Sequence, residues 1–120
     1  MATKSTLIAL GALNGAIAVA AGAFGAHGLR ERLDARMLEI FETGARYQMY
    51  HALAIVLCGV IATRGATMAG WMFQIGIIVF TGSLYALSLT GVKWLGAITP
   101  LGGLALIAGW VYLGYTSWKG

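Results

Sequence analysis

Residues 6–26 read TLIALGALNGAIAVAAGAFGA and contain no Asp, Glu, Lys or Arg. A helix needs about 20 consecutive apolar residues to cross the hydrocarbon layer of a membrane, so this stretch is long enough. Three further apolar stretches follow at residues 47–63, 69–90 and 95–117. We therefore predict an all-α integral membrane protein, a single domain in which four transmembrane helices, the first covering residues 6–28, form a bundle.

The composition excludes an ordinary soluble domain. Of 120 residues, 59% are apolar and 10% are charged, whereas soluble domains carry about a quarter charged residues. The net charge of +4 could indicate nucleic-acid binding. The eight Lys and Arg, however, are spread along the chain beside apolar stretches, as is typical of topology signals and headgroup contacts. We expect the lipid bilayer as a partner and no nucleic acid.

Residues 30–46 form the only strongly polar segment. All four acidic residues lie here, interleaved with apolar residues near helical spacing. This pattern predicts a short amphipathic helix that lies along the membrane interface between the first two transmembrane helices. Basic residues are slightly more numerous on the side of this linker, which favours a cytoplasmic linker with both termini outside.

Glycines recur along the first apolar stretch at steps that place them on one face of a helix. In lipid, a stripe of small residues lets another helix approach closely. We predict contacts between helices there and at glycines of the third and fourth stretches. The glycine faces of the first and fourth helices are the expected contacts with a second copy or a larger membrane complex. The predicted packing positions are Gly11, Gly15, Gly22, Gly25, Gly82, Gly102 and Gly103.

A polar face runs along the third apolar stretch. We predict that it lies inside the bundle, because lipid would leave these polar groups without partners. Asn14, beside the glycine stripe of the first stretch, is predicted to hydrogen-bond across that stripe. The residues that share the face on the third stretch are Gly70, Gln74, Ile78, Thr81, Tyr85 and Ser88.

The start of the fourth helix has two interpretations. Lys93 and Trp94 mark a membrane–water boundary shortly before Pro100. Either the helix begins near Leu95 and kinks at the proline, or Thr99 caps a helix whose first residue is Pro100. We favour the second. At the far end of this helix we predict an interfacial belt of four aromatic residues, namely Trp110, Tyr112, Tyr115 and Trp118.

The most site-like feature is a group of polar residues around two histidines. His27 ends the first transmembrane stretch, and His51 lies about one turn inside the second. Because the linker is predicted to stay on one face of the membrane, both imidazoles should lie at similar depth. The candidate cluster consists of His27, Arg30, Glu42, Arg46, Tyr47, Gln48 and His51.

This cluster has three interpretations. It could be a hydrogen-bonded latch between the linker and two helix ends, where polar groups need partners. It could form a pathway for protons or a small solute. The histidines could also ligate a metal or haem, although two ligands with no matching Cys, Asp or Met are a weak signal. We favour the latch and expect no metal and no cofactor.

The chain lacks familiar catalytic motifs. There is no G-x-S-x-G, no H-E-x-x-H and no phosphate-binding glycine loop. The carboxylates all lie in the linker, so no deeply buried acid pair is available. We predict no catalytic residue. The expected function is that of a non-enzymatic structural or accessory protein, packed in a homo-oligomer or a larger membrane complex. The alternative is a small oligomeric transporter or channel that uses the histidine cluster.

Four motifs occur in order along the chain. They are GAFGAHGL at residues 22–29, TGARYQMYHA at 43–52, FTGSLY at 80–85 and LGAITPLGG at 95–103. Together they resemble the YgdD/YwdK type of small bacterial inner-membrane protein, which is similar to animal transmembrane protein 256. The resemblance covers essentially the whole chain. It implies a multi-pass protein of the bacterial inner (plasma) membrane, of unknown function and without established catalytic or ligand residues.

Overall fold

The computed structural model describes residues 2–120, with side chains from residue 5 onward. Over this range every regular element is helical, so the all-α prediction is confirmed there. The elements are α1 (Ala2–His27), α2 (Ala35–Ile61), α3 (Arg64–Gly76), a π-helical segment (Ile77–Thr81), α4 (Gly82–Thr90), a 3-10 helix (Lys93–Ala97) and α5 (Thr99–Lys119).

Three helical stretches within residues 2–120 are long and apolar enough to cross a membrane. They are Ser5–His27, Arg64–Thr90 and Lys93–Lys119. Helix α2, which contains the predicted second transmembrane stretch, is not among them. Its apolar half carries the polar residues Gln48 and His51, which lower its mean hydropathy.

The predicted amphipathic linker helix and the second apolar stretch are one helix, so the prediction of a separate interfacial helix is wrong. Helix α2 runs without a break for 27 residues, which corresponds to about 40 Å. Its start is fixed by Asp34, whose carboxylate accepts a hydrogen bond from the Met37 backbone N–H at 2.8 Å. The chain contains no proline between Ala35 and Ile61, so no such residue interrupts the helix.

The helices share one core. Helix α2 lies centrally, with α1 along one side and α3, the π-helical segment and α4 along another, while α5 packs against α3 and the π-helical segment. Four helices contribute to the core, through Leu7, Ile55, Phe73 and Leu106.

The third apolar stretch begins earlier than predicted and contains a π-helical turn. Thr63 caps α3 by accepting a hydrogen bond from the Ala66 backbone N–H at 3.1 Å. The buried face runs through Phe73 and Ile77, one position before the predicted Gln74 and Ile78. Ile78, predicted inside, is 62% exposed, whereas its neighbour Ile77 is 4% exposed. Thr81 and Ser88 are buried as predicted.

Helix α5 begins at Thr99 with Pro100 in its first turn, which agrees within one residue with the second interpretation of this region. The predicted capping bond is absent from this helix end. The Thr99 hydroxyl instead lies 2.6 Å from the Ser83 hydroxyl. This hydrogen bond joins the start of α5 to α4.

Three of the predicted packing glycines lie where another helix of the chain approaches closely. A Cβ added to Gly11 would lie 2.5 Å from Val56 Cγ2, and one added to Gly25 would lie 3.1 Å from Phe41 Cδ1. A Cβ on Gly102 would lie 2.6 Å from the Cα of Phe80. The stripe on α1 therefore faces α2 of the same chain.

The remaining predicted glycines are less closely packed against other helices. A Cβ at Gly15 or Gly103 would meet only ordinary van der Waals contacts, at 3.9 and 3.7 Å. At Gly22 and Gly82, a Cβ would have nothing within 4 Å among the described residues. Gly22 and Gly82 therefore do not pack against another helix of the same copy, and their predicted role in packing stays a prediction.

Candidate functional site

Four polar side chains from four elements form one hydrogen-bonded chain. The Tyr85 hydroxyl donates to Gln48 Oε1 at 2.9 Å. The Gln48 amide donates to Asn14 Oδ1 at 3.0 Å, and the Asn14 amide donates to Gln74 Oε1 at 2.7 Å. Because Asn14 and Gln48 are 5% and 4% exposed, this amide network joins α1, α2, α3 and α4 deep inside the molecule.

The amide network lies beside the π-helical segment. The hydroxyl of Thr81, its last residue, donates to the backbone carbonyl of Gly44 on α2 at 3.3 Å. A Cβ on Gly44 would lie 3.0 Å from Tyr85 Cε1, so the glycine lets the tyrosine ring lie close against α2. π-Helical turns often occur at functional sites, which makes this position a candidate for function.

A cleft of about 350 Å³ opens onto the amide network. Its walls include Ile17 of α1 and Gly82 of α4, and Gln48 and Gln74 lie at its polar end. The Gln74 side-chain N–H groups donate to no acceptor within the described part of the chain. The cleft therefore presents a hydrogen-bond donor at the depth of Asn14, near the middle of α1.

A second polar centre joins α2 to α5. The indole N–H of Trp110 donates to His51 Nε2 at 3.0 Å, and His51 Nδ1 lies 2.7 Å from the backbone carbonyl of Tyr47. An indole only donates, so Nε2 is the acceptor and Nδ1 carries the hydrogen. The imidazole is thus held as one neutral tautomer with both nitrogens occupied, which leaves neither free to bind a metal.

Aromatic rings surround His51. Its imidazole centroid lies 5.5 Å from the Phe73 ring and 5.8 Å from the Trp110 ring. The Tyr47 ring stacks on the same imidazole at 6.3 Å and lies 5.2 Å from the Phe80 ring. The rings of Tyr47, His51, Phe80 and Trp110 line a groove of about 560 Å³ between α2 and α5.

The structure does not bring the predicted histidine cluster together. Helices α1 and α2 are antiparallel, with Gly25 facing Phe41 and Gly11 facing Val56. In this register His27 is level with Ile40, in the second turn of α2, about eleven residues or 16 Å from the level of His51. The prediction of equal depth is therefore wrong, because α2 starts far earlier than predicted.

The other members of that cluster also separate. Gln48 belongs to the amide network, and Tyr47 lines the aromatic groove. The exposed side chains of His27, Arg30 and Arg46, and the half-buried Glu42, make no hydrogen bond or ion pair to the buried polar residues within residues 5–120. In the same range no three His, Cys, Asp or Glu side chains are grouped as a metal site requires.

A family model described as a protein of unknown function, DUF423, matches residues 21–103. The chain belongs to the DUF423 family. The match includes His51 and the amide-network residues Gln48, Gln74 and Tyr85. No solved structure is significantly similar to this DUF423 chain.

Curated relatives of this DUF423 chain are named as membrane proteins. The UPF0382 membrane protein YwdK of Bacillus subtilis is 46% identical over 111 residues, which cover 88% of this chain and 90% of that protein. A UPF0382 membrane protein of Staphylococcus aureus (bovine strain RF122) is 48% identical over 115 residues, which cover 93% of this chain and 94% of that protein. The protein is therefore a membrane protein of a family whose function is unknown, and the resemblance to the YwdK type is confirmed.

The sequence alone indicates part of the amide network. The interior face of the third apolar stretch identified Gln74 and Tyr85, and Asn14 was predicted to bond across the glycine stripe. Trp110 was missed as a partner of His51, since its position near the end of the chain resembled an interfacial belt. Only the folded structure, in which Trp110 of α5 contacts His51 of α2, reveals this partner.

Proposed function

We propose that this DUF423 protein is a non-enzymatic accessory protein of the plasma (inner) membrane that crosses the bilayer four times. In this proposal it works by packing against a second copy of itself or against a larger membrane complex. The observation that carries the proposal is the cleft between α1 and α4, with its open glycine and its unpaired amide.

The four-pass topology is supported by the positions of the helix ends. A Cβ on Gly65, at the start of α3, would lie 2.5 Å from Thr116 near the end of α5. A Cβ on Gly70 would lie 3.1 Å from Leu7 of α1. Both ends of the described chain thus lie on the side where α3 begins, which favours an even number of crossings. With α2 central and about 40 Å long, four is the number that fits.

Packing at the α1–α4 cleft is supported by two independent features. Gly82 lines the cleft, and a Cβ there would meet nothing within 4 Å, so another helix can approach its backbone closely. The Gln74 amide beside it has N–H groups without a protein acceptor, and unpaired amides are costly in hydrocarbon. A polar acceptor on an incoming helix satisfies both features.

The experiment is to replace Gly82 with Leu and follow assembly in lipid nanodiscs by single-molecule photobleaching and by pull-down from native membranes. We expect assembly to fall while monomer stability is unchanged, because the new side chain has free space within one copy. Gly114→Leu is the matched control, since a Cβ at Gly114 also meets nothing within 4 Å but lies on α5. Unaltered assembly in the Gly82 variant would refute the proposal.

A further inference from the structure

We propose that the aromatic groove between α2 and α5 binds a lipid-soluble molecule with a planar, uncharged, carbonyl-bearing ring as its head, of the isoprenoid quinone class. This inference goes beyond the packing role and does not depend on it. It rests on the shape of the groove, the chemistry of its walls and the hydrogen bonds that its residues leave unmade.

The groove exists because α2 and α5 are held apart. Both helices pack on α3 and the π-helical segment, and the His51–Trp110 hydrogen bond bridges the space between them. Its volume of about 560 Å³ falls within the range of small-molecule sites, about 300–1,000 Å³. Ile107 and Tyr50 at its edges are 60% and 51% exposed, so the groove is open at the side of the bundle.

The walls favour a planar ring over a plain alkyl chain. Tyr47 lies between three other rings, with centroids 5.2 Å from Phe80, 5.5 Å from Tyr50 and 6.3 Å from His51. These rings pack directly against one another, and their sides that line the groove offer offset or edge-to-face stacking to a further ring. Gly103 has no side chain to cover the Phe80 ring. A Cβ built at Gly103 would lie 3.7 Å from that ring, which is ordinary contact distance.

The free hydrogen-bonding groups select a carbonyl. Both nitrogens of His51 and the Trp110 N–H are already paired. The hydroxyls of Tyr47 and Tyr50 donate to no acceptor within the described part of the chain. The described lining residues include no Asp, Glu, Lys or Arg, and both nitrogens of the lining His51 are paired, which disfavours phosphate and ammonium headgroups. Two phenolic donors beside a ring-lined groove match the carbonyl oxygens of a quinone.

An apolar tail has a continuous path out of the groove. Leu106 and Ile107 line the groove on the α5 side. The exposed side chains of Leu104 and Val111 continue along the outer face of α5. A ligand with its ring against Tyr47 can therefore extend a hydrocarbon tail into the surrounding lipid.

Fluorescence of Trp110 reports occupancy, because quinones quench an adjacent indole. The other tryptophans, Trp71, Trp94 and Trp118, are 40%, 66% and 91% exposed and can be replaced by Phe to leave one reporter. The protein is placed in nanodiscs and titrated with a naphthoquinone that carries a short isoprenoid tail. We expect quenching that saturates at a low mole fraction of the probe.

Two variants locate the site. Tyr47→Phe with Tyr50→Phe keeps the rings and removes the donors, and we expect affinity to fall about threefold to tenfold for each hydroxyl. Gly103→Leu fills the groove and should weaken binding at least tenfold, while Gly114→Leu on the same helix leaves it unchanged. Thermal unfolding of each variant checks that it is folded, and the tyrosine pair provides the test if Gly103→Leu is not.

Two results would overturn the proposal. One is quenching that rises linearly with probe and is the same in the tyrosine variant. The other is equal competition by phytane, a saturated hydrocarbon of isoprenoid shape without a ring, which would show that the groove takes any lipid tail.

Discussion

Replacing Gln48 with Met should destabilise the bundle more than any other single polar substitution in α2. The Gln48 side chain accepts from Tyr85 and donates to Asn14, and it is 4% exposed. Met has a similar unbranched shape and adapts to its surroundings, so the change removes two hydrogen bonds without leaving a large cavity. Hydrogen bonds between helices in membranes contribute about 0.6 kcal/mol on average and up to about 1.7 kcal/mol.

Because both partners of Gln48 are left without their bonds, we expect a loss of about 1–3 kcal/mol in the free energy of unfolding. The assay is reversible unfolding in mixed detergent micelles with increasing SDS, followed by tryptophan fluorescence. Tyr85→Phe breaks one of the two bonds and should lose about half as much. The double variant should lose less than the sum of the two single changes, since both remove the same Tyr85–Gln48 bond.

The control for this series is Leu53→Ala on the same helix. Leu53 is 58% exposed and contributes no polar contact, so its truncation should change stability little. If Gln48→Met unfolds at the same SDS fraction as the unaltered protein, the amide network does not hold the four helices together and the reasoning fails.

Three further predictions address other contacts. Trp110→Phe keeps a ring in place but removes the donor to His51 Nε2, and should cost about 1–2 kcal/mol in the same unfolding assay; an unchanged midpoint would contradict the bridging role. Gly102→Ala forces a methyl group towards the backbone of Phe80 and should cost about 1–3 kcal/mol or prevent folding, and normal folding of this variant would show that α5 can shift. Asp34→Ala removes the cap of α2 and should cost about 1 kcal/mol and speed amide hydrogen exchange in its first turn, whereas Asp34→Asn should retain both properties.

Local periodicity was enough to predict the contacts of α1 and the inner face of the third apolar stretch. Gly11 and Gly25 face α2, as spacing on one helix face indicates. Gln74 and Tyr85 take part in the amide network because lipid cannot satisfy their polar groups. These predictions depend only on residues one or two turns apart, which a sequence displays directly.

The failed predictions concern features set by the register between distant segments. The equal depth of His27 and His51 assumed that the second helix starts near Tyr47, whereas the cap at Asp34 starts it earlier. Ile78 is exposed because the buried face of its helix passes through Phe73 and Ile77, and the apolar residues on both sides of Ile78 leave that choice open in the sequence. The bond between Trp110 and His51 joins residues 59 positions apart, and no local pattern predicts that pairing.

The two polar centres leave α2 from adjacent turns, since Gln48 and His51 are three residues apart on one helix. Between them these two side chains hydrogen-bond to α1, α4 and α5. Sliding α2 by a single residue would rotate both side chains by about 100° and separate them from all their partners at once. Only one alignment of α2 therefore satisfies the buried polar groups, and neighbouring alignments lose both sets of bonds together.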